Sequence, residues 1–202
     1  MQVCQFVQCT GFPCLDVRHD GYLVPEIEVE PDRISIIMIS EAAPSDPADY
    51  YYQAGNPLFQ QTTLQAFNDA GVPVHSIQDL LDLGVYLTTA VKCAKTDYGI
   101  KASTIKECSL LLGHELSLFP RVKTYLLMGD VAIKAINTIA ERAGEGRVIP
   151  TGSTYKIRGQ PYFFRGKRAF PSYLQAGPSF FIEKSKRRMI AEDIASAMCL
   201  VK

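Results

Sequence analysis

Short β-branched runs alternate along the chain with longer segments whose apolar residues recur at helical spacing. Residues 34–39 form one such run, as expected of a strand that is covered on both faces. Residues 104–118 carry an apolar helical stripe, and Thr104 and Glu107 are spaced as a capping box. The predicted elements are strands 34–39, 85–91 and 124–128, helices 62–70, 104–118 and 131–143, a hairpin of 156–157 with 162–164 turning at Gly159-Gln160, a strand or loop at 169–171, and a helix over 184–201. This alternation predicts a single α/β domain with a parallel sheet.

The segments at the carboxyl ends of the predicted strands are residues 40–57, 88–93, 129–130 and 170–173. In parallel sheets, ligands bind beyond the carboxyl ends of the strands. We therefore expect these four segments to surround one crevice.

Composition and charge indicate a globular protein with an anionic partner. Apolar residues make up 47% of the 202 residues and charged residues 21%, which excludes a disordered or low-complexity chain. The formal net charge is zero, but residues 147–190 contain ten basic residues and one acidic residue, whereas residues 1–146 carry a net charge of −8. Such asymmetry indicates nucleic acid or another polyanion as a partner.

The N-terminal residues lack the charged and apolar regions of a signal peptide, and no apolar run approaches the ~18 residues of a membrane span. We therefore expect a cytoplasmic protein that does not bind membranes, in which cysteines ligate metal or are buried as free thiols. Four thiols in two separated groups can hold a [4Fe–4S] cluster or a zinc ion, and the alternative is that they are buried apolar residues. These cysteines are drawn from Cys4, Cys9 and Cys14 near the N-terminus and from Cys93 and Cys108; we expect Cys199 to be a core residue.

Several blocks of sequence follow one another in a distinctive order. After the N-terminal cysteines come Ile39-Ser-Glu-Ala-Ala-Pro44, Gly55-Asn-Pro-Leu58, Tyr86-Leu-Thr-Thr-Ala-Val-Lys-Cys93, Cys108, Leu127-Met-Gly-Asp-Val-Ala132 and Phe170-Pro-Ser-Tyr-Leu174. Over roughly residues 9–195 this order resembles the iron–sulfur, family-four members of the uracil-DNA glycosylase superfamily. Single blocks are weakly specific, and the ordered set carries the resemblance.

The resemblance implies one three-layer α/β/α domain over residues 1–202, with a central, mainly parallel four-stranded sheet and an N-terminal cluster-binding segment. It also implies a structural [4Fe–4S] cluster rather than zinc, held by Cys9, Cys14, Cys93 and Cys108. The family has a C-x-x-C pair where this chain has Cys9 and Cys14 in C-x4-C spacing. Cys4 is therefore an alternative first ligand.

The same resemblance implies the positions of the catalytic groups. Glu41 falls at the family's water-side acid, Thr89 at the Asn that reads uracil, and Phe170 at the His that stabilises the departing base. Ala42, Leu58 and Phe59 then belong to the base pocket, with Phe59 a substitute for the stacking aromatic. Asp46 and Asp49 are alternative carboxylates on the same loop, and Glu41 has the alternative role of capping or ordering that loop.

Two of these positions depart from uracil chemistry. An enzyme that acts on a base extrudes it from the duplex, and hydrolysis passes through an oxocarbenium-like sugar. Thr89 lacks the fixed acceptor–donor pair of Asn, and Phe170 cannot donate a hydrogen bond to a leaving base. We therefore expect a base other than plain uracil, or weak or absent activity.

The basic segment flanks the block that enters DNA in the resembling family. Basic side chains there can neutralise phosphates. The predicted DNA contacts are Ser172, Tyr173, Arg158, Arg165, Arg168, Lys184 and Arg188. Tyr50, Tyr51 and Tyr52 either stack on exposed bases or pack beneath their loop.

The sequence thus favours an iron–sulfur DNA glycosylase with altered base specificity and DNA as its partner, without an obligate protein partner. One alternative is a non-catalytic nucleic-acid-binding protein on the same fold. Another is a zinc- or cluster-stabilised domain with a small-molecule ligand.

Overall fold

The computed structural model describes residues 1–201, which form a mixed six-stranded sheet and seven α-helices. The strands are β1 (Val17–Arg18), β2 (Ile36–Ala43), β3 (Val85–Lys95), β4 (Thr124–Met128), β5 (Tyr162–Phe164) and β6 (Lys167–Ser172). The helices are α1 (Leu58–Asp69), α2 (Ile77–Asp82), α3 (Ala102–Ser117), α4 (Asp130–Arg142), α5 (Thr154–Ile157), α6 (Ser179–Ile182) and α7 (Lys184–Cys199). The α/β class predicted from the sequence is confirmed.

The sheet order is β1-β3-β2-β4-β6-β5. The four inner strands run parallel, and β1 and β5 add antiparallel edges. The expectation of a four-stranded sheet is therefore wrong. Edge strand β1 contains only two residues, too few to show an alternating pattern in the sequence, whereas β5 is the predicted hairpin arm 162–164.

Helices cover both faces of the sheet. Along β2, Ile36 and Met38 join one apolar cluster with residues of α1 and α7, whereas Ile37 and Ile39 join another with residues of α3 and α4. Because successive residues of a strand point to opposite faces, a strand buried on both sides reads as one apolar run. No helix within residues 1–201 is long and apolar enough to cross a membrane.

Three local predictions are corrected by tertiary contacts. Residues 156–157 belong to helix α5, and the hairpin joins β5 to β6 through Arg165 and Gly166, both at positive φ, as a tight turn between twisted strands requires. Helix α3 begins after Lys101 without a side-chain cap, because the Thr104 hydroxyl bonds the Asp16 carboxylate instead. Helix α1 begins at residue 58, four residues earlier than predicted.

The N-terminal segment is fastened to the end of β3 and the start of α3. The carboxylate of Asp16 accepts hydrogen bonds from the backbone N–H of Lys101 and the hydroxyl of Thr104. Val17 pairs with Lys95 in the sheet. This attachment brings Cys14 close to the elements that carry Cys93 and Cys108.

Candidate active site

The carboxyl ends of the inner strands bring together the segments that were predicted to line one crevice. Ser40 of β2 lies opposite Thr89 of β3. At the other side, the backbone N–H of Gly129, just after β4, donates to the carbonyl of Ser172 in β6, with 3.0 Å between N and O. Blocks that are far apart in sequence therefore share one edge of the sheet, as parallel topology dictates.

Glu41 extends from β2 to the N-terminus of α4. Its Oε1 accepts a long hydrogen bond of 3.5 Å from the backbone N–H of Val131. The positive end of the helix dipole favours a carboxylate at this place. Gly129 permits the contact, since its φ is +101° and a β-carbon there would lie 2.6 Å from Oε1. Glu41 thus caps α4, and its catalytic role stays a prediction.

A buried polar network lies beside Glu41 and was not found from the sequence. The hydroxyls of Ser40 and Tyr51 bond each other, and Ser40 donates to Gln175 Oε1 at 3.2 Å. Gln175 Nε2 donates to the Tyr51 hydroxyl at 3.1 Å and to Thr63 Oγ1 at 3.3 Å. All four side chains are buried. The network ties β2, the following loop, α1 and the segment after β6 into one unit.

The three consecutive tyrosines pack beneath their loop. Tyr50 and Tyr51 are fully buried, and burial raises the pKa of both phenols above their ordinary value of 10.0. The hydroxyl of Tyr52 donates to the backbone carbonyl of Leu87 in β3 and accepts from the backbone N–H of the same residue. Both backbone hydrogen-bonding groups of Leu87 are therefore bonded by this side chain. The packing interpretation is confirmed for Tyr50 and Tyr51.

Thr89 and Phe170 lie on the sheet rather than on loops. Thr89 is fully buried, and its Oγ1 has no hydrogen-bond partner. Phe170 is 6% exposed within β6, where it lies opposite Leu126. The guanidinium of Arg168 covers the Phe170 ring at 4.2 Å from its centre. The Thr89 hydroxyl is therefore a buried polar group that the protein leaves without a hydrogen-bond partner.

The other predicted pocket residues are divided between the two faces. Leu58 opens α1, and its N–H is capped by the Asp49 carboxylate at 3.1 Å. Phe59 packs against Tyr51, with ring centres 5.3 Å apart. Ala42 belongs to the apolar cluster of α3 and α4, whereas Phe59 packs against the opposite cluster. The structure therefore brings Phe59 to the face of the tyrosines and does not bring Ala42 there.

A buried ion pair joins β3 to α3. Lys92 and Glu115 are both fully buried and in direct contact. Lys92 Nζ also donates to Thr88 Oγ1 and to the Thr89 carbonyl, each at 2.7 Å, while Glu115 accepts from the hydroxyls of Tyr86 and Thr88. A buried charge needs such partners. The sequence signal for the pair is a lysine between apolar residues of a strand, in Ala-Val-Lys-Cys-Ala, and a glutamate beside the apolar residues of a helix.

The thiols of the four predicted cluster ligands lie close enough together for the charge on one to act on another. Burial, followed by the charges of Cys108, Cys9 and Cys14, raises the pKa of Cys93 to about 12. Burial is also the main cause that raises the pKa of Cys108, to about 11, and the pKa of Cys14. Hydrogen bonds to Thr104 and Cys108 partly offset the rise for Cys14.

These thiols do not form a site for a single ion. Among residues 1–201, no three His, Cys, Asp or Glu side chains are grouped so as to hold one metal ion. Cys199, which was expected in the core, is exposed because it ends the last helix.

Three of the residues that were predicted to contact DNA form hydrogen bonds within the protein. Arg158 donates through Nε and Nη2 to the Asp193 carboxylate, at 3.2 and 2.8 Å, and Ser172 donates to the same carboxylate. Burial raises the pKa of Asp193, and the hydrogen bonds from Ser172 and Arg158 oppose that rise. Arg168 donates to three backbone carbonyls around the hairpin. The guanidinium groups of Arg158 and Arg168 therefore hold the C-terminal quarter together.

The remaining predicted contacts lie nearer the surface. Lys184 is exposed at the start of α7, and Arg188 is exposed and lies 3.6 Å from Glu192. Arg165 lies over the Phe164 ring, and Tyr173 lies beneath the Lys186 ammonium. Lys184 and Arg188 are thus placed to meet a polyanion.

Comparison with known proteins gives a partial similarity. Over 58 residues the chain is 36% identical to the type-5 uracil-DNA glycosylase of Thermus thermophilus. The matched stretch is 29% of this chain and 26% of the relative, so the chain matches about a quarter of that protein's length. No family model matches the chain. The similarity supports a relationship to the uracil-DNA glycosylase superfamily.

Proposed function

We propose that this protein binds DNA, takes one nucleotide out of the base stack and hydrolyses its N-glycosidic bond. The observation that carries the proposal is the meeting of Glu41, Thr89, Gly129 and Ser172 at one edge of the parallel sheet. The partial similarity to a type-5 uracil-DNA glycosylase agrees with it.

Glu41 is the proposed water-side carboxylate. Water adds its oxygen to C1′ of the sugar while the C1′–N bond breaks, and the electron pair of that bond leaves with the base. The proton that water loses passes to Glu41 and finally to the base. An anion near the oxocarbenium-like sugar lowers the barrier. The hydrogen bond from the start of α4 fixes the direction of the Glu41 carboxylate.

The base is proposed to differ from plain uracil. Thr89 cannot make the bidentate contact of an asparagine. Phe170 lies under Arg168 and has no hydrogen to donate to a departing oxygen. Both groups that would define uracil excision are thus replaced.

Oligonucleotides that contain uracil, hypoxanthine or modified pyrimidines test the activity through abasic-site formation. We expect excision from at least one of them, and we expect Glu41→Gln to reduce it by about 10²-fold or more. Glu107→Gln is the matched control, because Glu107 is exposed on α3 and is not a candidate catalytic residue. Unchanged excision by Glu41→Gln would make the catalytic assignment wrong.

The alternative function is DNA binding without catalysis. It is favoured by the absence of a leaving-base donor at Phe170 and by the buried Tyr51 ring beside Ser40. Binding of the same oligonucleotides without abasic sites on any of them supports this alternative over the enzyme.

We also propose that Cys9, Cys14, Cys93 and Cys108 hold a structural [4Fe–4S] cluster. Support comes from the four thiols lying within electrostatic range and from the attachment of the N-terminal segment to β3 and α3. A cluster bonds each ligand sulfur to a different iron, whereas zinc requires all four sulfurs at about 2.3 Å from one point. When bound, the cluster would cross-link the fold and take no part in bond cleavage.

Iron and sulfide analysis of protein purified without oxygen tests the cluster. We expect about four of each per chain, loss of both in Cys14→Ser, and retention in Cys199→Ser, the exposed control. Stoichiometric zinc without sulfide would favour the zinc alternative. Loss of iron in Cys4→Ser with retention in Cys9→Ser would replace Cys9 by Cys4 as the first ligand.

A further inference from the structure

The hairpin of β5 and β6 carries basic residues at the end of the sheet that is opposite the candidate active site. Strand β6 runs from Lys167 to Ser172, parallel to β4, and Ser172 lies at the carboxyl end beside Gly129. Lys167 therefore lies at the amino end, together with the turn that begins at Arg165. A strand rises about 3.3 Å per residue, so Lys167 and Ser172 are roughly 16 Å apart.

Two lysines occupy neighbouring positions at this amino end. Thr124 pairs with Arg168 in the parallel ladder of β4 and β6. Lys123 and Lys167 directly precede these two residues, and the carbonyl of Lys123 accepts the backbone N–H of Arg168 at 3.1 Å. Neighbouring strands are about 4.8 Å apart, and like charges at neighbouring positions are unfavourable. Both lysines are exposed, and within residues 1–201 neither ammonium has a carboxylate within 4.0 Å.

Phe163 presents an aromatic ring on the edge strand of the same hairpin. Strand β5 is the last strand of the sheet, and Phe163 is 59% exposed. Opposite it in β6, the guanidinium of Arg168 lies 5.9 Å from the centre of this ring and 4.2 Å from the centre of the Phe170 ring. The guanidinium is fixed there because it donates to three backbone carbonyls. An exposed ring that is supported in this way can stack on a base with little loss of conformational freedom.

The charges around this ring favour a nucleic acid strand over a protein. No acidic residue occurs between Glu145 and Glu183. Arg165 lies 3.9 Å from Glu145, so its charge is partly compensated, unlike those of the two lysines. A single strand offers phosphates to cations and the faces of unpaired bases to aromatic rings, whereas the bases of a duplex already stack on one another. An acidic protein surface would match the lysines but would give the ring no planar partner.

We propose that the hairpin surface, formed by Lys123, Phe163 and Lys167, binds single-stranded DNA. Phe163 stacks on an unpaired base, and the two lysines contact phosphates. This surface goes beyond the proposed function, because it adds a DNA contact at the other end of the sheet and requires neither a modified base nor bond cleavage.

Binding of a short labelled oligo(dT) strand, compared with the duplex of oligo(dT) and oligo(dA), is the experiment. Phe163→Ala should weaken binding of the single strand by about 5- to 100-fold, which corresponds to the loss of one base stack, and should change duplex binding little. Phe163→Tyr keeps a ring and should retain the affinity. Tyr98→Ala is the matched control, since Tyr98 is 99% exposed and follows β3, on the side of the sheet away from β5.

The double variant Lys123→Gln, Lys167→Gln tests the phosphate contacts. It should reduce the slope of log affinity against log salt by about 1.4, because each phosphate contact of a single strand contributes about 0.7. Lys106→Gln, which removes an exposed charge from α3, should leave the slope unchanged. The substituted side chains are all exposed, so thermal unfolding should show that every variant folds as the wild type does.

Four results would overturn the proposal. They are no binding of oligo(dT) by the wild type, unchanged single-strand affinity in Phe163→Ala, an equal loss in Tyr98→Ala, and an unchanged salt slope in the double lysine variant. Oligo(dT) contains none of the bases whose excision is proposed, so failure here leaves the proposed hydrolysis standing. Formation of abasic sites tests that hydrolysis separately.

Discussion

The carboxylate of Glu41 lies against the α-carbon of Gly129, at the point where β4 turns into α4. A β-carbon on residue 129 would be 2.6 Å from Glu41 Oε1 and 2.8 Å from its Cγ. The two residues are 88 positions apart, and this contact decides where the only acid of the first sequence block points.

Gly129→Ala should therefore both destabilise the protein and displace Glu41. The positive φ and the close contact together should cost about 2–4 kcal/mol in the free energy of unfolding. Gly144→Ala is the matched control, since Gly144 also has a positive φ but has no atom within 4 Å of an added β-carbon. It should cost about 1–2 kcal/mol. Denaturant unfolding measures both, and equal costs would show that the Glu41 contact does not constrain residue 129.

The buried pair of Lys92 and Glu115 should be strongly coupled. Lys92→Met leaves a buried carboxylate without its cation and should cost about 3–5 kcal/mol of stability. The double variant Lys92→Met, Glu115→Leu should recover most of that loss, because both charges are then absent. Lys134→Met, which breaks an exposed pair with Asp130, should cost about 0.5 kcal/mol or less. Additive effects at positions 92 and 115 in denaturant unfolding would contradict the coupling.

The ion pair between α1 and α7 should make stability depend on pH. Hydrogen bonds from Arg187 lower the pKa of Asp69 below its ordinary value of 3.8 in the folded state. A lowered carboxyl pKa stabilises the fold above the unfolded pKa, and the contribution is lost as the pH falls through the folded value.

Comparison of the wild type with Arg187→Met across pH checks this dependence. The wild type should be more stable by about 0.5–1 kcal/mol above pH 5, and the difference should shrink as the pH falls below 3.8. Arg121→Met is the control, because its contact with Asp32 is exposed and 4.0 Å long. A difference for Arg187→Met that is constant with pH would argue against the ionised pair as its cause.

The basic residues should separate into two classes in DNA binding. Lys184→Gln and Arg188→Gln remove exposed charges, so each should weaken binding and reduce the slope of log affinity against log salt by about one. Arg158→Gln should instead lower stability, because it leaves the buried Asp193 carboxylate without its cation. Salt titration of DNA binding, together with thermal unfolding, distinguishes the classes. A reduced salt slope in Arg158→Gln with unchanged stability would reverse the assignment.

The order of strands and helices could be predicted because it depends on periodicity within short windows. Strand 85–91 and helix 131–143 were predicted within a few residues of β3 and α4. The edge strand β5 coincides with residues 162–164, which were predicted as one arm of a hairpin. Edge strand β1 and the start of α1 could not be predicted, since β1 is held by Lys95 and α1 is capped by Asp49, a residue outside the helix. Local pattern carries no information about such partners.

By itself, the sequence determined the α/β class, the alternation of elements and the set of segments that meet at one sheet edge, because parallel strands place their carboxyl ends together. Only the tertiary structure decided which side chains of those segments bond one another. Ser40 and Gln175 are 135 residues apart and share a hydrogen bond, Glu41 is turned onto α4, and Arg158 is bound to Asp193. The reason is physical. A buried polar side chain loses its hydrogen bonds to water and bonds a partner within the protein, and the three-dimensional packing determines which partner lies within reach.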